Sequence, residues 1–117
     1  MAIKTIIRDT YEQVSAEAFA VMAEVLKKDK PILGLATGST PVGLYQEMIR
    51  DHRENGTSYQ KIITFNLDEY VGIPRDHEQS YYTFMHENLF NYIDILEENV
   101  HVPVGCAEDE KAACVEY

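Results

Sequence analysis

The chain has 117 residues, 45% of them hydrophobic, and 20 acidic against 10 basic side chains give a formal net charge of −10. This length supports one domain with a buried core rather than two. The charge repels phosphate backbones and anionic lipids, so nucleic acid and membrane surfaces are excluded as favoured partners. The sequence also contains no apolar run of membrane-spanning length and no signal-peptide pattern, which predicts a cytoplasmic protein.

The first 30 residues predict a short strand and then a helix. The strand is indicated by three isoleucines, Ile3, Ile6 and Ile7. Thr10 and Gln13 form a capping-box pattern, so the first helix is expected from about Tyr11 to Lys28. Its buried stripe is predicted from the apolar residues at helical spacing, which are Val14, Ala18, Val21 and Val25.

Two further apolar runs, residues 32–35 and 62–65, are too short for helices and predict strands. The helix between them is indicated by Leu44, Tyr45, Met48 and Ile49, and Asn55-Gly56 supplies its stop. A third helix is expected to begin near Ser80, with a buried stripe of Phe84, Met85, Leu89 and Ile93, and residues 100–104 indicate another strand. Strands that alternate with helices predict an α/β fold with a mostly parallel, doubly wound, Rossmann-like sheet.

A loop of small residues, Thr37-Gly38-Ser39-Thr40, follows the strand at 32–35. The glycine permits a ligand to approach the backbone closely, the hydroxyl groups can donate hydrogen bonds, and Pro41 suits the first position of the next helix. Free N–H groups in the first turn of a helix and the positive end of its dipole both favour an anion at that point. The loop therefore predicts a phosphate-binding site.

A second polar loop, residues 66–72, follows the strand at 62–65. Loops after parallel strands emerge at one edge of the sheet, and strands are spaced about 4.8 Å apart, so the two loops should lie roughly 5–10 Å apart. A sugar phosphate could span them, with Asp68 as the base that removes a proton next to a carbonyl. Carboxylates after strands also commonly cap a turn, so this role stays open at this point. Glu69 is expected to be solvated or to orient Asp68, and Tyr70 to close the pocket or pack beneath it.

Neither metal nor nucleotide chemistry is indicated, so no cofactor is expected. The four histidines are scattered without ligand spacing; they are His52, His77, His86 and His101. Cys106 and Cys114 lack a metal-binding motif and are expected to be free thiols. The glycine-rich motifs that bind dinucleotides and nucleoside triphosphates are both absent.

Three segments stand in order along the chain: LGLATGSTP at 33–41, FNLDEYVG at 65–72 and QSYYTFM at 79–85. Together they resemble the glucosamine-6-phosphate deaminase family, and the similarity extends over nearly the whole chain, including Asn88-Leu89-Phe90 and residues 104–105. The resemblance implies a cytoplasmic enzyme of amino-sugar catabolism. Such an enzyme converts glucosamine 6-phosphate to fructose 6-phosphate and ammonia without a metal or an organic cofactor.

The resemblance also implies roles for individual residues. Asp68 matches the family's proton-abstracting carboxylate, which removes the C2 proton of the opened sugar before ammonia leaves. Gly38, Ser39 and Thr40 match its phosphate loop. The expected substrate-binding residues are Thr37, Gly38, Ser39, Thr40, Glu69 and Tyr70.

One part of the family's pattern is absent from this sequence. A Gly-Asx-Gly-His segment that ends in Asn-Glu-Pro supplies the ring-opening histidine in the family, and no such segment occurs here. Residues 1–117 are therefore expected to form a single α/β domain, the N-terminal half of a longer enzyme. Its exposed apolar sheet edge leaves two possibilities open, which are marginal stability of the isolated piece and self-association into a homo-oligomer.

Two alternatives stay open. One is a 6-phosphogluconolactonase-like hydrolase, whose second motif resembles Asp-Glu-Arg where this chain has Asp68-Glu69-Tyr70. The other is a fragment that binds sugar phosphates without turnover.

Overall fold

The computed structural model describes residues 2–117. Its helices are α1 (Tyr11–Leu26), α2 (Val42–Asn55), α3 (Tyr81–Asn88) and α4 (Glu110–Glu116), and its strands are β1 (Ile32–Leu35), β2 (Ile63–Asn66) and β3 (Val100–His101). Two 3₁₀ turns, Phe90–Tyr92 and Glu97–Asn99, connect α3 to β3. Within the described part of the chain the strands form one sheet in the order β1-β2-β3, and both neighbouring pairs are parallel. The predicted α/β class with a parallel sheet is confirmed.

The register of β1 and β2 decides where the loops after them begin. Ile32 pairs with Ile63 and Leu35 pairs with Asn66, so the two strands start and end together. The strands are direct neighbours, which is the closer of the two arrangements that the sequence allowed. Both loops therefore leave the sheet side by side at its carboxyl edge.

One face of the sheet carries the core. Leu33 and Leu35 of β1 and Thr64 and Asn66 of β2 are buried on it. The side chains packed in this core from α2, α3 and the loops include Tyr45, Met48, Tyr59, Ile62, Met85, Leu89 and Phe90. The apolar spacing predicted for α2 identifies its buried side correctly. In the third helix Phe84 and Met85 pack inward as predicted, but α3 ends at Asn88, so Leu89 and Ile93 reach the core from the segment after the helix.

Helix α1 begins where the sequence predicts, but the side that it turns toward the core is not the predicted one. The Thr10 hydroxyl accepts the Gln13 N–H at 3.1 Å, and the Gln13 side chain bonds back to the Thr10 N–H, as a capping box requires. Val14 and Val21, however, are 50% and 61% exposed. The inward side carries Ser15, Phe19, Met22 and Leu26, with Val25 partly buried.

The contact between α1 and α2 explains why the side of α1 that faces the core differs from the predicted one. Gly43 lies in the first turn of α2, and a side chain there would collide with Ser15 and with the Tyr11 ring. Because Gly43 has no side chain, α1 approaches α2 through its Ser15 side, and Phe19, Met22 and Leu26 pack against the core. Helix α1 also ends at Leu26, two residues before the predicted Lys28.

The predicted strand at Ile3, Ile6 and Ile7 is wrong. Residues 2–7 form no strand, and Ile3 and Ile7 are 94% and 81% exposed. A strand needs a neighbouring backbone to pair with, and this segment lies along α1, where Ile6 lines a shallow groove with Val14 and Arg8 bonds to Glu17 at 3.1 Å. Three isoleucines therefore favour a strand locally without supplying its partner.

The other element boundaries shift by small amounts. Strand β2 runs one residue later than predicted, and β3 covers only two residues of the predicted 100–104. Pro103 limits β3 because proline has no N–H for the ladder, although Val102 is buried. Pro41 is the N-cap of α2 rather than its first residue. Gly56 ends α2 with φ +71°, as the predicted Asn55-Gly56 stop requires.

Three further findings concern the cysteines, membrane-spanning segments and metal-binding groups. Cys106 and Cys114 are free and exposed, as predicted. Among residues 2–117 no helix combines the length and the apolar character that a membrane crossing needs. The same residues contain no group of three or more side chains arranged to hold a metal ion.

The lowered pKa values of two carboxyl groups, Asp94 and Glu97, determine how the stability of the fold should depend on pH. Partial burial of Asp94 opposes its ionisation. Hydrogen bonds from the Tyr59 N–H at 2.6 Å and the Ser58 hydroxyl at 2.9 Å, together with the nearby His52, outweigh this effect. The pKa of Asp94 is therefore below its ordinary value of 3.8. The pKa of Glu97 is lowered from 4.5 because hydrogen bonds from Tyr82 and His86 outweigh its desolvation. Carboxyls with depressed pKa values stabilise the fold above their unfolded-state pKa, and this stabilisation is lost as the pH falls through the folded-state value.

We therefore expect the free energy of unfolding to fall steadily as the pH is lowered from about 5 to about 3. Asp94→Asn should flatten this dependence, whereas Asp29→Asn in an exposed loop should leave it as in the wild type. Urea unfolding at several pH values measures the slope. An Asp94→Asn slope identical to that of the wild type would contradict the role given to Asp94.

Candidate functional site

The candidate site is formed where β1 and β2 end. A side-chain amide joins the two ends, because Asn66 Nδ2 donates to the Leu35 carbonyl at 3.0 Å. Asn66 is 2% exposed, and its Oδ1 has no hydrogen-bond partner among the described residues. This cross-link fixes the starting points of the first loop, residues 36–41, and of the second loop, residues 67–72, relative to one another.

Two tyrosine hydroxyl groups contact backbone carbonyl groups of the first loop. The Tyr11 hydroxyl lies 3.0 Å from the Ser39 carbonyl and 2.9 Å from the Thr40 carbonyl, and it accepts the Gly43 N–H at 2.7 Å. The Tyr45 hydroxyl donates to the Ala36 carbonyl. Burial raises the pKa of Tyr45 to about 12, and this hydrogen bond acts in the opposite direction. Both tyrosines therefore position the loop through their hydroxyl groups.

The backbone of the first loop remains available for an anion. Gly38 has φ +95°, a conformation that side chains with a Cβ rarely adopt, and the space beside it is open. Within residues 2–117 we find no acceptor for the N–H groups of Gly38, Ser39 and Thr40. The predicted free N–H groups of the first helical turn are partly used, because Gly43 donates to Tyr11. The free backbone donors at this point are therefore those of the loop more than those of α2.

The second loop is tied to the start of α3 by Glu69. Its carboxylate accepts the N–H groups of Tyr70 at 3.0 Å, Tyr81 at 2.9 Å and Tyr82 at 3.1 Å. Ser80 completes this cap, since its hydroxyl accepts the Thr83 N–H at 3.0 Å. A carboxylate is favoured at a helix N-terminus by both the free N–H groups and the helix dipole. Glu69 is thus neither solvated nor free; it anchors the loop that carries Asp68.

The far side of the second loop rests on the chain after β3. Gly72, with φ +83°, donates its N–H to the Gly105 carbonyl at 2.7 Å. A side chain at Gly105 would collide with the carbonyl oxygens of Tyr70 and Ile73. The loop is therefore supported at both of its ends.

Asp68 is an exposed carboxylate in the second loop. None of the described residues donates a hydrogen bond to it, and it lines a cavity of about 310 Å³ together with Val71, Val104, Cys114 and Tyr117. The residues of the first loop do not line this cavity. A carboxylate that lines a cavity and accepts no hydrogen bond from the protein can accept a proton from a bound molecule.

Tyr81, to which the sequence patterns assigned no role, packs against the second loop. Its ring lies 4.8 Å from that of Tyr70, centroid to centroid. The pKa of the Tyr81 phenol is raised, first by its hydrogen bond with Tyr70, then by desolvation and by the nearby Tyr70 and Asp68, while a hydrogen bond with Thr37 lowers it. Its hydroxyl thus lies beside Thr37 of the first loop and beside Tyr70 and Asp68 of the second.

Other polar side chains are used elsewhere. Arg75 donates to the Val102 carbonyl at 3.0 Å and lies 4.6 Å above the Tyr82 ring. His86 contacts Glu97 at 2.9 Å, and His52 Nδ1 lies 2.7 Å from the Thr57 carbonyl. These contacts bind loops to helices, whereas Asp68 accepts no hydrogen bond from the described residues.

Comparison with known proteins decides the family. The model for the family described as glucosamine-6-phosphate isomerases/6-phosphogluconolactonase matches residues 6–117. The chain belongs to this family. A glucosamine-6-phosphate deaminase of Thermoanaerobacter sp. (strain X514) is 46% identical over 116 residues, which are 98% of this chain and 46% of the relative.

Two solved structures of the family match the fold. A monomeric glucosamine-6-phosphate deaminase superposes with a TM-score of 0.95 at 40% identity, over 98% of this chain and 48% of that protein. A 6-phosphogluconolactonase of Thermotoga maritima gives 0.74 at 26% identity, over 95% of this chain and 49% of that protein. The deaminase is thus the nearer of the two in both sequence and structure. The chain spans about half the length of the relatives that it matches.

Proposed function

We propose that this chain carries the phosphate loop and the proton-abstracting carboxylate of a glucosamine-6-phosphate deaminase. The observation that carries the proposal is the pairing of Leu35 with Asn66, which places the first loop and Asp68 side by side at one edge of the sheet. A sugar phosphate has its anionic group and its reacting carbon within one small molecule, so both loops can contact it together.

In the proposed chemistry the first loop binds the phosphate and the second loop supplies the base, Asp68. The free N–H groups of Gly38, Ser39 and Thr40 bind the phosphate, and the positive end of the α2 dipole supports it. Thr37 and Tyr70 face the sugar between the loops. In the opened sugar, Asp68 takes the proton from C2, the C2–H electron pair forms the C1–C2 double bond, and the C1 carbonyl oxygen takes up a proton. The resulting enolamine isomerises to the imine, which water hydrolyses to the ketose and ammonia.

This chemistry also predicts the setting of the reaction. Proton transfers of this kind need neither a metal nor an organic cofactor. A phosphorylated sugar does not cross membranes freely because of its charge, so we place the reaction in the cytoplasm. The proposal requires no second copy of the chain, and the matching solved deaminase is described as monomeric.

A lactonase is the second candidate, since the family includes both activities. Tyr70 favours the deaminase, because lactonases resemble Asp-Glu-Arg at this motif, and the deaminases are more similar over the whole chain. A protein that binds the sugar phosphate without turnover is the third. Ammonia release from glucosamine 6-phosphate distinguishes the first candidate from the other two.

Binding to the chain itself is the first test. Glucosamine 6-phosphate should bind at least about 10-fold more tightly than glucosamine, because charge-assisted hydrogen bonds to phosphate add about 1.5–3 kcal/mol. Calorimetry on the folded 117-residue chain measures both affinities. Equal affinities would remove the phosphate-binding role from the first loop.

Turnover is the second test and uses a joined protein. We define the joined protein as this chain fused at Tyr117 to the remaining C-terminal half of the Thermoanaerobacter relative, which should supply ring opening. The joined protein should release ammonia from glucosamine 6-phosphate, whereas the 117-residue chain should release almost none. The complete relative is the positive control. A folded joined protein that binds the sugar phosphate and releases no ammonia would contradict the proposed function.

A further inference from the structure

We propose that Glu69 is a positioning residue that holds Asp68 in place from the start of α3 and does not bind the substrate. This role rests on the proposed function and adds a residue to it. The observations that support it are the exposure of the second loop and three hydrogen bonds that the Glu69 carboxylate accepts from backbone N–H groups.

Glu69 is the part of the second loop that is withdrawn from solvent. Of the loop residues 67–72 only Glu69 is partly buried, and the other five are exposed. Leu67 and Val71 are 84% and 74% exposed, so neither contributes to the core. Apolar burial therefore does little to hold the loop. Asp68 is one of the exposed residues, so its position depends on the residues beside it in the chain.

Asp68 lies between two fixed points of the backbone. Two residues before it, the buried Asn66 side chain donates to the Leu35 carbonyl at 3.0 Å and ties the end of β2 to β1. One residue after it, Glu69 ties the loop to α3. Only Leu67 and Asp68 separate these two points, so a shift at Glu69 moves the Asp68 carboxylate directly.

The Glu69 carboxylate is used almost completely by the backbone. Its Oε1 accepts the N–H groups of Tyr70 at 3.0 Å and Tyr81 at 2.9 Å, and its Oε2 accepts the Tyr82 N–H at 3.1 Å. The last two donors lie in the first turn of α3, where N–H groups have no partner within a helix. Two carboxylate oxygens have about four acceptor positions, so three hydrogen bonds leave little capacity for a sugar hydroxyl. Glu69 is therefore suited to join the loop to the helix rather than to contact the substrate.

This join matters because Asp68 must reach one particular proton. A reacting group that is displaced by about 1 Å can slow a reaction about 100-fold. In Glu69→Gln one acceptor oxygen becomes an NH₂ group, which meets the helix N–H groups donor to donor. The second loop should then move relative to α3, while the first loop keeps the free N–H groups that bind the phosphate. Proton abstraction should slow and phosphate binding should persist.

Glu69→Gln in the joined protein tests this role by kinetics. The kcat for ammonia release should fall about 10- to 100-fold, and KM should change by less than about 3-fold. In the 117-residue chain, calorimetry should show that this variant keeps its affinity for glucosamine 6-phosphate within about 3-fold of the wild type. A raised KM with normal kcat, or weakened binding to the chain, would overturn the proposal, because Glu69 would then contact the substrate.

The matched control is Ser80→Ala. Ser80 caps the same helix, because its hydroxyl accepts the Thr83 N–H at 3.0 Å, but it donates to the Arg75 carbonyl and not to the second loop. Loss of this cap should lower the melting temperature without displacing Asp68, so kcat should stay within about 3-fold of the wild type. An equal loss of kcat in Ser80→Ala would overturn the positioning role, since any weakening of α3 would then lower the activity.

Amide hydrogen exchange tests the hydrogen bonds without a variant and without turnover. In the unmutated 117-residue chain, the N–H groups of Tyr81 and Tyr82 should exchange at least about 10-fold more slowly than in the unfolded chain. In Glu69→Gln this protection should fall, while that of the β1 N–H groups should remain. Exchange of both tyrosine N–H groups at the unfolded rate in the folded chain, or an unchanged kcat in folded Glu69→Gln, would also overturn the proposal. Absence of ammonia release in the unmutated joined protein would instead count against the proposed function.

Discussion

Asp68→Asn in the joined protein should lower kcat for ammonia release roughly 10²- to 10⁴-fold and change KM by less than about 3-fold. Asparagine keeps the shape of the side chain and part of its hydrogen bonding, but its amide has no basic lone pair to accept the C2 proton. Because Asp68 is exposed and accepts no hydrogen bond within residues 2–117, its replacement should leave the fold unchanged. Steady-state kinetics and a thermal melt measure both effects.

The control for the lost negative charge is Asp76→Asn. Asp76 is an exposed carboxylate in the segment that follows the second loop, and its replacement changes the net charge of the chain by the same amount. Its kcat should stay within about 2-fold of the wild type, as is usual for a surface carboxylate away from the reacting atoms. If Asp68→Asn behaved in the same way, Asp68 would be a solvent-facing residue at the end of a strand.

Gly38→Val should weaken the binding of glucosamine 6-phosphate about 10- to 100-fold. Valine at φ +95° is strained by about 1–2 kcal/mol or more, so the loop would relax away from the conformation that presents its N–H groups. No protein atom lies within 4 Å of the position that the new Cβ would occupy, so the side chain would project into the space left for the ligand. Calorimetry on the 117-residue chain measures the loss, and glucosamine should bind nearly as it does to the wild type.

Gly56→Val is the matched control for backbone strain. Gly56 has φ +71° and open space beside it, but it ends α2 at the opposite end from the first loop. This variant should lose stability to a similar extent and keep its affinity for the sugar phosphate. Equal weakening of binding in both variants would show that Gly38 affects the fold rather than the ligand.

The part of the fold that the sequence predicts rests on strong local signals. Short β-branched and apolar runs predicted β1 and β2, and the Thr10 and Gln13 pair located the start of α1. The order of strands and helices was enough to place the two loops at one edge, because parallel strands joined by helices leave few alternatives. The sequence left open whether β1 and β2 are direct neighbours or one strand apart, and the strand pairing shows that they are direct neighbours.

The errors come from tertiary contacts that the local sequence does not encode. Val14 and Val21 of the predicted α1 stripe are exposed because Gly43 lets the Ser15 side of the helix pack against α2, while Phe19 and Met22 pack on the core. The isoleucines near the N-terminus have no strand to pair with among the described residues. Tyr81 was missed because a tyrosine after a helix cap is ordinary in sequence, and only the folded chain shows that its ring packs against Tyr70 of the second loop.

The most direct test of the central claim is the exchange of the C2 proton of glucosamine 6-phosphate with solvent deuterium. In D₂O, the joined protein should incorporate deuterium at C2 of the recovered substrate, and mass spectrometry or proton NMR measures the rate. The account predicts that Asp68→Asn binds the sugar phosphate normally and exchanges this proton at least about 100-fold more slowly. Near-normal exchange in Asp68→Asn would contradict the account, because another group would then remove the proton.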